Sequence, residues 1–169
     1  MWEMDYDAAA NYWVEKDKDA EKLDSKSLKS NIEGFLVTHK ICTLATASAD
    51  MVRNTPIEYN YVDGCFYFFS EGGLKFKNLK ENKNVALAMF DDVTDLKKYW
   101  SIQVQGVASM VEPFSEEYLK LLEYKKIPVE SIKKLPQPIN LIKVTPKSYD
   151  VLDFRYHTCG FGSRQHLDV

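Results

Sequence analysis

Apolar positions along the chain recur with two periods. Leu28, Ile32, Phe35 and Leu36 form one stripe of an amphipathic helix, capped by Asp24 or Ser25 and ending near His39. From residue 41 the period falls to two. "KICTLATAS" predicts a strand, "ADM" a turn, and "VRNTPIEYNYV" the return strand of a hairpin. Asp63-Gly64 is a tight-turn pair, and "CFYFFSE" follows as a third strand, so residues 41–69 read as an antiparallel meander. "EGGLKFKNLKENK" predicts a turn and a short helix, and "NVALAMFDD" a fourth strand. "WSIQVQGVASMVE" predicts a fifth strand with Gly106 at a bulge. Ser115 caps a helix whose buried side is Tyr118, Leu119 and Leu122 and which stops before Pro128. "VESIKKLP" gives a helical turn and "INLIKVTPKSYDVLDF" a last long strand or strand pair, while "GFGSRQHLDV" shows no periodicity. At the front, Tyr6, Ala9, Ala10 and Trp13 fall at helical spacing behind Asp5, and a charged run follows. Residues 1–17 therefore read as an arm that docks on the body or on a second subunit. The expected division is an arm and linker over 1–23 and one domain over 24–169. Short strands joined by turns predict a mainly β fold, a small closed or half-open antiparallel barrel with flanking helices over its ends.

Composition narrows this picture. With 169 residues, 45% hydrophobic and 13% aromatic, the chain can bury one substantial core. A formal charge of −3 argues against a broad basic surface for nucleic acid. Three scattered cysteines with no Cys-x-x-Cys pair give no metal or dithiol motif, and free thiols fit a reducing compartment. The expectation is a cytoplasmic protein without a secretory leader, a membrane span, a nucleic-acid partner or a metal, acting on a small molecule.

Candidate chemistry concentrates near residues 53–75. Gly72 and Gly73 allow a sharp turn before a helix whose first amides lack internal partners, and Lys75 and Lys77 add positive charge there. Arg53, Thr55, Ile57, Tyr59 and Tyr61 share one strand face. If the two neighbouring strands pair across Asp63-Gly64, Arg53, Ser70, the Gly72-Gly73 backbone and Lys75 converge on one phosphate-sized site. The plainer alternative is a surface helix with its lysines in water and an exposed arginine at a hairpin end. Ser101, Gln103 and Gln105 share a face that meets either water or the edge of a planar heterocycle. His39, His157 and His166 are scattered and form no acid–base set.

From about residue 30 to 112 the sequence resembles the pyridoxamine 5′-phosphate oxidase-like, FMN-binding split-barrel family. The stretches that carry this are "LATASADMVRNTPIEYNYVDGCFYFFSEGGLKFKNLKENKNVALAMFDD" and "SIQVQGVASMVE", with Lys-x-x-Asn-Leu-x-x-Asn before Val-Ala-Leu. The resemblance implies a six-stranded split barrel and a homodimer with FMN between subunits. It places Arg53 and Lys75 at the FMN phosphate, with Asn54, Thr55, Phe69, Ser70 and Gly73 beside them, and Gln103 or Gln105 at the flavin edge. Glu58 stands where the family carries a lysine, and Leu74 where it carries an arginine. Arg164-Gln165-His166 matches the oxidase's C-terminal Arg-x-His, a three-residue likeness in a polar tail. Two functions follow: an FMN-dependent oxidoreductase with its substrate unassigned, or a non-catalytic flavin- or haem-binding protein for storage or sensing. A third is an interaction module that recruits a partner through the aromatic arm.

Overall fold

The computed structural model describes residues 2–91 and 94–169, so Asp92, the last residue of the expected fourth strand, lies outside the described residues. The arm is helix α1 (Tyr6–Lys16), with Asp5 accepting a hydrogen bond from the Ala8 amide, and none of its residues is buried. Helix α2 (Ser25–Thr38) is capped by Asp24, whose side chain accepts from the Ser27 amide, and it buries Leu28, Ile32 and Leu36. Both caps start their helix where a side-chain oxygen can satisfy a first-turn amide.

Among the described residues the sheet has eight strands: β1 (Ile41–Ser48), β2 (Met51–Glu58), β3 (Asn60–Val62), β4 (Cys65–Ser70), β5 (Asn84–Phe90), β6 (Trp100–Val111), β7 (Asn140–Asp153) and β8 (Arg164–Asp168). The order is β2-β1-β5-β6-β7-β4-β3, every pairing antiparallel, with β8 also on β7. The sheet curls until β2 approaches β4, giving the half-barrel expected from the sequence. The count exceeds six for two reasons. Tyr59 breaks the expected second strand: it is 1% exposed and its hydroxyl donates to the Leu36 carbonyl at 3.0 Å, so the chain leaves β2 there. The continuation, β3, pairs with β4 across Asp63-Gly64, at the edge of the sheet opposite β2. Residues 41–69 are therefore two separate hairpins and not a continuous meander. The second addition is β8. The tail that lacks periodicity forms a strand because Gln165, 3% exposed, accepts from the Leu23 amide and donates to the Gly162 carbonyl.

The inner sheet face carries Leu44, Leu87, Val104, Ile142 and Val144 against α2. A smaller cluster lies under α4 (Glu116–Tyr124) and α5 (Val129–Lys133), with Tyr118, Leu121, Leu122 and Ile132. Ser115 caps α4 as expected, but the buried leucines are 121 and 122, and Leu119 is 38% exposed. A fully buried leucine contributes about 1.5–3 kcal/mol relative to an exposed one, so the phase of this helix follows the pair that reaches the core.

The β6–β7 ladder shifts register between Gln105 and Gly106, leaving Lys147 as the extra residue of a bulge. A Cβ at Gly106 would sit 2.7 Å from Val144 Cγ1 and 2.8 Å from the Thr145 carbonyl oxygen. Gly106→Ala should lower stability by about 1–3 kcal/mol, read as a lower urea midpoint at unchanged slope. An unchanged midpoint would show that β7 yields at no cost.

Candidate functional site

The turn between β4 and the short helix α3 (Lys75–Glu81) builds one corner. Gly73 has φ +112°, a conformation that favours glycine, and it lets the chain reverse beneath the helix. The reversal aims the Gly72 carbonyl back at its own neighbours. Ser70 Oγ donates to it at 3.2 Å and Lys75 Nζ at 2.6 Å. Asn140 Nδ2 holds the same turn through the Ser70 and Glu71 carbonyls, at 3.1 and 3.4 Å. Lys75 is only 8% exposed. Among the described residues its ammonium meets the Gly72 carbonyl and the Phe76 ring, 5.2 Å away, and no carboxylate. Burial accordingly holds this ammonium below its usual titration range. An ammonium has three donors, and this one has a single strong acceptor. Lys77, by contrast, faces solvent. The Phe76 and Lys77 amides already bond the Gly73 and Leu74 carbonyls, so two helix-mouth amides expected to be free are taken.

Arg53 stands on edge strand β2 directly opposite Thr46, and side chains directly opposite share a face. Asn78 of α3 lies over that face: its Nδ2 donates to Thr46 O at 2.9 Å, Thr46 Oγ1 at 3.2 Å and Met51 O at 3.4 Å. Lys75 and Asn78 are three apart on one side of the helix. Arg53, Thr55, Ser70, Gly73 and Lys75 thus belong to the α3 side of the sheet. Arg53 is exposed and has no hydrogen-bond or ion-pair partner among the described residues.

The other expected residues lie elsewhere on the fold. Asn54 and Gln105 lie in one row, Asn54–Ala45–Ala86–Gln105, on the outer sheet face. Three strand spacings separate them, roughly 14 Å. Gln103 and Gln105 line a depression of about 370 Å³ floored by Ala45, Ala47 and Ala86. Large apolar side chains are also exposed on this outer face: Ile41 60%, Val52 72% and Phe90 58%. Phe69 points elsewhere, into the smaller cluster, its ring 6.1 Å from Tyr118. Glu58 is bonded to Lys125 at 2.7 Å, and Leu74 is 46% exposed.

The tail is engaged with the arm. The Arg164 guanidinium lies 3.5 Å from the centre of the Trp13 ring and 3.6 Å from Asp17, while Lys22 donates to the Arg164 carbonyl at 3.0 Å. His166 sits between Asp150 at 2.7 Å and Asp168 at 3.2 Å, and those carboxylates raise its pKa. A cavity of about 670 Å³ between arm and β8 reaches Gln103. The buried Asn78 amide and the Trp13–Arg164 contact were missed at the sequence level. The only signal was the Lys-x-x-Asn spacing, which sets two polar side chains on one helical face.

An antiparallel half-barrel with a glycine turn delivering a buried lysine beside an arginine strand defines a split-barrel protein of the oxidase type. The family model described as pyridoxamine 5′-phosphate oxidase matches residues 28–153, and the chain belongs to that family. No curated protein matches the sequence. Solved structures share the fold. A FAD-binding protein from Mesorhizobium loti aligns with TM-score 0.60 and 16% identity, over 73% of this chain and 90% of that one. The haem storage protein HutZ from Vibrio cholerae aligns with TM-score 0.57 and 23% identity, over 70% and 89%. Campylobacter jejuni ChuZ aligns with TM-score 0.64 and 16% identity, over 98% and 70%. No helix among the described residues is long and apolar enough to cross a membrane.

The buried ammonium gives a pH-dependent expectation. Its pKa is lower folded than unfolded, so the unfolded state binds more protons between the two values, and stability rises with pH across that window. The burden is full at neutral pH and fades as pH climbs toward the ordinary lysine value. In the ligand-free protein, Lys75→Met should raise the urea midpoint at pH 7, with the gain shrinking in alkaline buffer. A gain independent of pH, or a loss at pH 7, would contradict the assignment.

Proposed function

We propose that the chain is an FMN-dependent oxidoreductase, working in the cytoplasm as a homodimer that holds FMN between subunits. The observation that carries this reading is the buried Lys75 ammonium, which among the described residues has a carbonyl but no carboxylate for a partner. A buried cation without a counter-charge is costly unless an anion completes it. A phosphate ester supplies that anion, and the guanidinium of Arg53, unpartnered among the described residues and with its planar fork, suits the same oxygens. Ser70 Oγ and the Gly73 turn would hold the phosphate, and Gln103 or Gln105 would meet the edge of the ring. Because these sets lie on two sides of the sheet, a ligand touching both must pass the β2 edge. The apolar outer face around Ile41, Val52 and Phe90 would be covered by the second subunit.

Bound flavin supplies hydride transfer, which asks the protein for binding and electrostatics more than for an acid–base pair. The scattered histidines accord with that division. The substrate is a small molecule, and an NAD(P)H donor would dock transiently, since the chain carries no glycine-rich dinucleotide fingerprint.

The purified protein should be yellow and release FMN on heating. Each charge-assisted hydrogen bond is worth about 1.5–3 kcal/mol, so Arg53→Ala with Lys75→Ala should weaken FMN by at least about tenfold and leave riboflavin nearly unchanged. Equal losses for both ligands would mean that these side chains do not touch phosphate. A colourless protein that ignores added FMN would remove the flavin reading, and a Soret band in its place would assign haem.

A further inference from the structure

Helix α3 has seven residues, too few to hold its own geometry in water. Its orientation comes from what it touches. Leu79, 3% exposed, seats it on the core, but an apolar contact has no direction and leaves the helix free to roll about its axis. Two amides supply direction. Asn82 Nδ2 donates to the Ala47 carbonyl at 3.0 Å, and its Oδ1 accepts from the Asn84 amide at 3.0 Å. Asn78, 0% exposed, spends its nitrogen on Thr46 O, Thr46 Oγ1 and Met51 O. Two of those acceptors are carbonyl oxygens, which fixes the end of the amide that faces them.

The oxygen of the same amide has no partner among the described residues. A buried, unpaired acceptor is a cost that leucine would avoid while filling similar space. Packing therefore does not call for asparagine here, whereas direction does. Thr46 is paired with Arg53, and Met51 lies two residues before it. One side chain thus ties the helix that carries Lys75 to the hairpin that carries Arg53.

We propose that Asn78 is a positioning residue. It sets the roll of α3 so that the Lys75 ammonium and the Arg53 guanidinium address one phosphate ester, and it thereby determines the preference for a phosphorylated ligand over the bare ring. This rests on the FMN reading above.

The test measures FMN and riboflavin affinity by flavin fluorescence for wild type, Asn78→Leu, Lys75→Ala and the double variant, with melting temperature recorded alongside. Asn78→Leu should weaken FMN about tenfold, the scale typical of residues that orient a ligand-binding group. Riboflavin should stay within about twofold, and in the Lys75→Ala background the same change should cost FMN nothing further, as expected of coupled residues. Equal losses for both ligands, an additive loss in the Lys75→Ala background, or no loss would each overturn the proposal. Should Asn78→Leu fail to fold, Asn78→Ser carries the same comparison. The two layers separate cleanly. If Lys75→Ala leaves the FMN-to-riboflavin ratio unchanged, the phosphate reading itself fails. If Lys75→Ala lowers the ratio and Asn78→Leu does not, only the role of Asn78 fails.

Discussion

A lysine ammonium taken out of water and given one carbonyl oxygen is the constraint around which the corner at residues 70–78 is built. Lys75 is turned inward by α3, and Gly73 makes the reversal that brings the Gly72 carbonyl within 2.6 Å of it. A cation in that position raises the free energy of the ligand-free fold, and burial depresses its pKa for the same reason. Perturbed ionisable groups of this kind cluster at functional sites. Ser70 and Asn140 brace the turn, so the cost falls on a pre-formed site and not on a loose loop.

The half-barrel supplies the rigid frame. Its inner face is closed by α2, and its outer face, floored by alanines and rimmed by exposed Ile41, Val52 and Phe90, is left open. The Lys75 corner and the glutamine depression lie on opposite sides of the sheet. That arrangement fits a ligand lying over the β2 edge and covered by a second copy.

The parts legible in the sequence are those set by local rules. Asp5, Asp24 and Ser115 cap their helices because the cap is decided within three residues. Ser70, Gly72, Gly73 and Lys75 lie within six residues, so their grouping was readable too. What escaped was decided by distant partners. Tyr59 breaks β2 because of a bond to Leu36, 23 residues away, and β8 forms because Gln165 reaches Leu23. No periodicity announces either. Spacing alone could not say which of Lys75 and Lys77 is buried, nor that Phe69 turns toward Tyr118. The bonds from α3 to the β1–β2 hairpin run through Asn78, which looks in the sequence like one polar residue of a surface helix. The Arg-x-His likeness in the tail is spent on contacts to Trp13, Asp17, Asp150 and Asp168.

The most direct measurement is the titration of the Lys75 side chain by NMR with selectively labelled lysine, in the free protein and with FMN or riboflavin added. The account requires an ammonium that titrates below the ordinary lysine range when free, rises when FMN binds, and stays where it was with riboflavin. A Lys75 that titrates normally in the free protein, or responds alike to both ligands, would contradict it.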